Sequence, residues 1–171
     1  MKNVLKGILG LVAVLTAILL FNAYNLGDVR PLGAPAKLMN INIQKAVDRL
    51  SGGIKIPTIS QMNSDKIDYT QFLNFNRYLR REFPKVFNTL ESYTINKHSL
   101  ILKWGGIQPL KKPILLMAHM DVVPIDDQSL DQWTHPPFNG ETDSTTVWGR
   151  GTMDDKGSLF AIMESVDQLI A

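Results

Sequence analysis

One histidine and two aspartates occupy positions in this sequence where they could bind a metal ion. His119 and Asp121 follow the apolar run of residues 114–118, and Asp154 follows Gly149-Arg150-Gly151. Imidazole and carboxylate groups both bind Zn²⁺, and a ligating histidine usually donates its second ring N–H to a neighbouring carboxylate. His119 and Asp154 are therefore candidate metal ligands, and Asp121 is the candidate residue that orients His119.

Each of these residues also has a simpler interpretation. A His-x-Asp tripeptide often occurs by chance, with the histidine merely hydrogen-bonded at a strand end. An aspartate before a helix is often an N-cap. That interpretation is favoured for Asp155. For Asp154 taken alone, an N-cap and a metal ligand are equally good interpretations. His98 is interpreted as a turn residue rather than a ligand. The sequence has no cysteine, which excludes disulfides and thiolate ligands.

The elements around these residues should bring them together. Residues 114–117 are uninterrupted apolar residues, which predicts a central strand buried on both faces and ending near His119. Residues 156–170 have apolar side chains at helical spacing, so Asp154 should lie in the loop entering that helix. Ligands in open α/β sheets collect beyond the carboxyl ends of strands, which is where the imidazole and the carboxylate should meet.

The remaining pattern predicts a mixture of helices and strands. Helices are predicted over residues 40–50 and 68–83, and strands over residues 86–94 and 99–104, joined in a hairpin around residues 96–98. Pro57 argues against a central strand over residues 54–60.

The composition indicates a globular domain preceded by a targeting segment. The 171 residues are 44% hydrophobic and 20% charged, and the net charge of +2 gives no reason to expect a nucleic-acid partner. Lys2 and Lys6 precede an uncharged apolar stretch over residues 7–21, so residues 1–26 are predicted to be a signal anchor or a cleaved signal peptide. A poor cleavage pattern, with Phe21 three residues before the cut after Ala23, favours a retained anchor.

The domain boundaries follow from this leader. Residues 27–39, which are rich in proline, glycine and small residues, are predicted to be a linker. Residues 40–171 then form the domain. It should lie on the exported side of the membrane, in a periplasm, lumen or extracellular space, or be secreted.

Three ordered motifs carry a resemblance to a known family. They are His119-Met120-Asp121-Val122-Val123-Pro124, Trp133 with Pro136-Pro137-Phe138, and Gly149-Arg150-Gly151-Thr152 followed by Asp154-Asp155-Lys156-Gly157. Together they resemble the aminoacylase/carboxypeptidase zinc metallopeptidase family, which includes acetylornithine deacetylase, succinyl-diaminopimelate desuccinylase and glutamate carboxypeptidase. The short anchor and residues 54–60 resemble its carboxypeptidase S and N-fatty-acyl-amino-acid synthase/hydrolase branch. The resemblance runs from about Ala46 to the end.

The resemblance implies a fold, a cofactor and a substrate class. It implies a three-layer α/β fold with a mixed, largely parallel sheet flanked by helices, here incomplete and preceded by the N-terminal apolar helix. It also implies two zinc ions bridged by Asp154, with His119 on one ion, Asp121 as the catalytic residue that orients His119, and a cis peptide bond after Asp154. The substrate would be a peptide or an N-acyl amino acid, and a homodimer would form through a further domain that is absent here.

The resemblance also implies residues that this sequence does not contain. The family has a Glu-Glu pair after the bridging aspartate, which supplies a general base and a ligand, and no two glutamates are adjacent here. The chain is therefore expected to be an N-terminal part, inactive alone, of a metallo-exopeptidase or amidohydrolase. One alternative is a truncated, non-catalytic, membrane-anchored binding protein. Another is a metal-dependent phosphoesterase, against which the Gly-Arg-Gly-x-x-Asp context argues.

Overall fold

The computed structural model describes residues 2–25, 41–108 and 110–170. The chain divides into two compact units, Met1–Asn40 and Ile41–Ala171. The predicted linker over residues 27–39 lies outside the described residues.

The first unit contains a single described helix, α1, over Lys2–Asn25. Its 24 residues lack proline and consist mostly of leucine, alanine, valine and isoleucine, and most of these are compatible with a helix. At a rise of 1.5 Å per residue the helix is about 36 Å long, compared with about 30 Å for the hydrocarbon core of a bilayer. The helix is long and apolar enough to cross a membrane, although a signal sequence has the same length and composition. The predicted N-terminal apolar helix is confirmed.

The second unit is built on four helices, α2 over Ile43–Ile54, α3 over Tyr69–Glu82, α4 over Pro84–Thr89 and α5 over Lys156–Leu169. The Asn42 side chain caps α2 by accepting from the Lys45 N–H, and Asp68 caps α3 by accepting from the Thr70 N–H. Two short 3₁₀ helices, Ser64–Lys66 and Asp127–Gln132, lie in the connections. The helices predicted over residues 40–50, 68–83 and 156–170 are confirmed.

The helices enclose one apolar core. Its buried side chains come from α3, α4, α5 and the turns beside them: Phe75, Leu79, Phe83, Val86, Leu90, Leu159, Phe160 and Met163. The Phe160 ring meets Phe75 edge-on, with ring centroids 6.2 Å apart, and lies 5.9 Å from Phe83. Burial of each such ring contributes about 1.5–3 kcal/mol, so this cluster is the principal stabilising feature of the unit.

A buried ion cluster joins α2 to α5. The Arg49 guanidinium donates to both carboxylate oxygens of Glu164, at 2.9 and 3.0 Å, and lies 3.6 Å from Asp167. It also donates to the backbone carbonyl of Glu82 and stacks 4.1 Å from the Phe83 ring centroid. The buried Arg49 charge is thus paired with two carboxylates and a backbone carbonyl, which offsets the cost of burying it.

The paired strands of the described residues form one antiparallel hairpin, with β1 over Glu91–Ile95 and β2 over Ser99–Lys103. Glu91 pairs with Lys103 and Ile95 pairs with Ser99. Asn96 and Lys97 have φ values of 48° and 70°, as the tight turns favoured in hairpins require. The predicted hairpin is confirmed, but the first strand is shorter than predicted. Pro84, at the first position of a helix, begins α4 instead.

The expected buried central strand is not found. Residues 114–117 form no described strand and are exposed, with Ile114 at 88% and Met117 at 77%. Parallel pairing within the described residues is limited to one bridge between Ile59 and Val122. A central strand needs a paired strand on each edge and a layer of structure on each face. In the described chain, the single bridge at Val122 lies beyond residues 114–117 and supplies neither to them. A largely parallel sheet is therefore not seen, and the prediction that this run is buried is corrected.

Candidate metal centre

His119 lies at the end of the exposed apolar run, directly before a short anchored segment. Val122 is 2% exposed, and its N–H donates to the Thr58 carbonyl at 2.9 Å, while its own carbonyl accepts from the Ser60 N–H at 2.9 Å. The Thr58 hydroxyl donates to the carbonyl of Met120 at 2.5 Å. These bonds fix the backbone on the carboxyl side of His119, although the run before it is unpaired.

Asp154 is carried by a loop that approaches this segment closely. Gly151 has φ of +89°, and a Cβ there would lie 2.5 Å from Cγ1 of Val122. Gly149 has φ of +147°, and a Cβ there would lie 2.5 Å from Cγ2 of Ile54. Only glycine adopts these conformations readily and leaves room for such an approach. The glycines of the motif thus bring the Asp154 loop against the His119 segment.

The two side chains meet as the sequence predicts. Nε2 of His119 lies 2.9 Å from Oδ1 of Asp154, although 35 residues separate them in the chain. Both side chains are accessible to solvent, at 51% and 89%. The peptide bond between Asp154 and Asp155 is cis, which confirms the expectation drawn from the resemblance.

Asp121 contacts the other ring nitrogen of His119. Nδ1 lies 3.0 Å from the backbone carbonyl oxygen of Asp121 and 3.3 Å from its carboxylate oxygen Oδ1. The carbonyl is therefore the nearer acceptor. Since a carbonyl oxygen can only accept, Nδ1 is placed to donate to it, so the contact is made first through the backbone of Asp121 and only second through the carboxylate that the sequence pattern indicated.

These contacts determine the protonation of His119. Partial burial acts to lower the pKa of His119, but the hydrogen bond to the Asp121 carbonyl and the contact with the Asp154 carboxylate outweigh it. The pKa is therefore raised above the ordinary value of 6.5. In the metal-free chain the ring is stabilised in its doubly protonated form.

Asp155 has a different role from the helix cap that the sequence favours. It occupies the N-cap position of α5 but makes no capping bond with its side chain. Its Oδ2 lies 3.3 Å from the backbone N–H of His119 and accepts from it. Asp155 thus adds a second link between the two segments.

A cavity of about 330 Å³ opens beside the His119–Asp154 pair. Trp133, Trp148 and Arg150 line it together with the pair, and the Arg150 guanidinium stacks 5.1 Å from the Trp133 ring centroid. Trp133 and Arg150 belong to the sequence motifs, which did not assign them to a cavity, and Trp148 directly precedes the glycine-rich motif. The sequence feature that could have indicated this lining is the position of Trp133 and Trp148, each close to one of the proline-rich and glycine-rich motifs.

The other two histidines lie apart from this pair. His98 follows the turn of the hairpin, and its ring lies 5.1 Å from that of Tyr69. His135 stacks on Trp148 at 4.5 Å and places Nδ1 2.7 Å from Glu141. In residues 2–25, 41–108 and 110–170, no group of three or more histidine, aspartate or glutamate side chains is arranged to hold a metal ion. The described chain therefore supplies two candidate ligands.

Lys156, which sequence reasoning did not single out, lies directly behind the Asp154 loop. It is fully buried, and its Nζ donates to the carbonyls of Gly53 and Ile56 at 3.0 and 2.7 Å. Burial lowers the pKa of Lys156 to about 7. Nothing in the pattern of the helix distinguishes a buried lysine at its first position from an exposed one.

Comparison with known proteins agrees with this arrangement. Residues 115–171 match the family described as peptidase family M20/M25/M40. Probable carboxypeptidase S-like 2 of Dictyostelium discoideum is 48% identical over 125 residues, which are 72% of this chain and 24% of the relative. Carboxypeptidase S of Saccharomyces cerevisiae is 38% identical over 132 residues, or 73% of this chain and 23% of the relative.

A third relative represents the other part of the predicted branch. N-fatty-acyl-amino acid synthase/hydrolase PM20D1 of Homo sapiens is 34% identical over 125 residues, or 72% of this chain and 24% of the relative. The chain thus spans about a quarter of the length of the curated relatives it matches. By its motifs, its family match and these relatives, the chain belongs to peptidase family M20/M25/M40, in the branch of carboxypeptidase S and PM20D1.

Proposed function

We propose that this chain forms the N-terminal part of an exported, zinc-dependent metallopeptidase or amidohydrolase. The reaction is hydrolysis of a peptide bond or of the amide bond of an N-acyl amino acid. The names of the relatives, carboxypeptidase S and N-fatty-acyl-amino acid synthase/hydrolase, support both substrate classes.

The observation that carries the proposal is the environment of the His119 ring. Nδ1 faces the Asp121 carbonyl and Nε2 faces the Asp154 carboxylate, so both ring nitrogens face acceptors. Since Nδ1 must donate, Nε2 and the carboxylate need a cation between them, which is either a proton or a metal ion. One imidazole nitrogen and one carboxylate are ligand types that zinc accepts, so the residues present fit the metal.

Each residue then has a defined role. His119 would offer Nε2 as a zinc ligand, Asp154 would offer its carboxylate as a second ligand, and Asp121 would fix the tautomer and orientation of His119. Zinc, when bound, supplies Lewis acidity that polarises the scissile carbonyl and makes water more acidic. The aromatic walls of the cavity, Trp133 and Trp148, exclude water from one side of the bound substrate.

The 171 residues alone are proposed to be inactive. No two glutamates are adjacent in the sequence, so the glutamate pair that the family resemblance implies is not among these residues. We propose further that α1 anchors the domain on the exported side of a membrane, because its length and composition suit a span and Lys2 and Lys6 favour a cytoplasmic amino terminus.

Metal binding is the first test. Zn²⁺ is titrated into the full chain in detergent by calorimetry, in buffers of different ionisation enthalpy. Because the pKa of His119 is raised, binding at a pH below that pKa should release a proton from Nε2. His119→Gln and Asp154→Asn should each weaken binding by more than about tenfold. His98→Gln, a histidine in the hairpin turn, is the matched control and should bind as the wild type does. Equal binding by all three variants would refute the metal site.

Activity is tested in a chimera. Residues 41–171 replace the matching segment of the Dictyostelium relative, and hydrolysis of N-acyl amino acids is measured with and without zinc. The chimera should require zinc, and His119→Gln in it should abolish turnover while His98→Gln should not. Turnover without zinc would contradict the proposal.

A further inference from the structure

The buried Lys156 connects the two segments that carry the candidate ligands. Its backbone N–H donates to the Gly151 carbonyl at 2.9 Å, which closes the loop containing Asp154. Its side chain runs the other way, through the core and over the Phe75 ring, with Nζ 4.7 Å from the ring centroid. One residue therefore holds the Asp154 loop by its backbone and the end of α2 by its side-chain nitrogen.

The acceptors of Lys156 lead to His119. Nζ donates to the carbonyls of Gly53, in the last turn of α2, and Ile56, just beyond it. Two residues further on, the Thr58 hydroxyl donates to the Met120 carbonyl at 2.5 Å, and the Thr58 carbonyl accepts from the Val122 N–H at 2.9 Å. Since Met120 adjoins His119, hydrogen bonds and the short backbone stretch from Ile56 to Thr58 together join the Asp154 loop to the His119 segment.

We propose that Lys156 is a positioning residue that sets the separation between the His119 imidazole and the Asp154 carboxylate. The inference rests on the proposed metal site for its functional meaning, while the geometry itself is independent of metal. A fully buried ammonium with two carbonyl acceptors has little freedom to move, so it fixes the distance between the two backbones that it joins. An apolar side chain of the same length would leave both carbonyls buried without a donor.

The test uses Lys156→Met, which preserves the volume of the side chain and removes its donors. Co²⁺ is titrated into the full chain in detergent, and the affinity and the visible absorption spectrum of the bound ion are recorded under conditions where every variant is folded. Substitution of a residue that orients ligands typically weakens metal affinity 10–100-fold. We expect a loss in that range for Lys156→Met, together with a changed spectrum that reports altered ligand geometry.

Arg49→Met is the matched control, because it also removes a buried cation that joins α2 to α5 but does not contact either ligand segment. It should destabilise the chain and leave Co²⁺ affinity and spectrum as in the wild type. An equal loss in both variants, or no loss in Lys156→Met, would overturn the proposal. Should Lys156→Met fail to fold, Thr58→Val breaks the next bond in the path and should shift affinity and spectrum in the same direction.

A metal-free measurement separates this proposal from the proposed function. The ¹⁵N chemical shifts of the His119 ring report the acceptors at Nδ1 and Nε2 without any ion. Lys156→Met should alter the Nε2 shift, and Arg49→Met should not. If the wild type binds no Co²⁺ but the Nε2 shift responds to Lys156 alone, the positioning role stands and the metal site fails. An unchanged Nε2 shift in Lys156→Met refutes the positioning role.

Discussion

Asp143 organises the turn that carries Trp148 into the cavity. Its Oδ1 accepts from the N–H groups of Thr145 and Thr146 at 2.7 and 2.8 Å, and its Oδ2 accepts from Nε1 of Trp148 at 3.0 Å. The backbone hydrogen bond from Thr145 and the bond from Trp148 are the leading causes that lower the pKa of Asp143 from 3.8 to about 2. A carboxylate therefore fixes an aromatic wall of the candidate site.

This contact predicts a defined acid sensitivity. Because the pKa of Asp143 is lower in the folded chain, its contribution to stability is complete above about pH 3.8 and is lost as the pH falls towards 2. Asp143→Asn should remove that part of the pH dependence. Urea unfolding between pH 2 and 5 measures it, and ¹³C NMR should show the Asp143 carboxyl titrating near 2. A midpoint near 3.8 would contradict the prediction.

Gly151 permits the approach of the Asp154 loop to Val122, and it provides a second prediction. Gly151→Ala places a Cβ 2.5 Å from a valine methyl at a φ of +89°, so the loop must move. Strained backbone of this kind costs about 1–3 kcal/mol, and the displacement should also weaken zinc binding. Gly105→Ala, where nothing lies within 4 Å of the added Cβ, is the control and should change neither urea stability nor zinc affinity. Similar behaviour of both variants would contradict this account.

At the scale of the elements, local chemistry decided which predictions succeeded. The helices α3 and α5 have a strong apolar stripe, and the hairpin has a turn sequence with φ above zero at Asn96 and Lys97. Both signals are local. Only the first part of the strand predicted over residues 86–94 is wrong, because Pro84 begins a helix there and Val86 packs into the helical core. Tertiary burial there outweighed intrinsic strand propensity.

The α2–α5 contact yields a prediction that the apolar pattern could not give. Arg49 is 4% exposed and is paired with Glu164 and Asp167. Removal of one member of a buried ion cluster typically costs about 3–5 kcal/mol, because the remaining charge has no partner. Arg49→Met should therefore lower the free energy of unfolding by an amount in that range, measured by urea denaturation. Arg77→Met is the control, since Arg77 is exposed and bonds Asn74 on its own helix, and it should change stability little.

At the scale of the whole molecule, the sequence predicted the meeting of His119 and Asp154 more reliably than the sheet around them. The meeting depends on glycines and backbone bonds within residues 54–156, which the described chain contains. A buried central strand depends on neighbouring strands, and among the described residues none pairs with Ile114 or Leu115, which are exposed. An apolar run predicts that a segment is buried, but it does not predict which elements cover that segment. Lys156 illustrates the same point, since its burial is a property of the assembled core.

The proposed membrane anchor is the apolar helix α1. It has no charged side chain between Lys6 and its end at Asn25, so it should remain in the bilayer after alkaline carbonate extraction. Replacing Leu11 and Val14 near its centre with arginine costs about 2.5–3.5 kcal/mol for each residue on insertion scales, and most of the variant should then be extracted. Asn22→Arg, near the helix end where a long cation reaches the interface, is the matched control and should remain bound. Mass spectrometry of the mature chain identifies its first residue. A retained anchor keeps Met1 or Lys2, whereas a chain that has lost residues 1–23 would contradict the anchor.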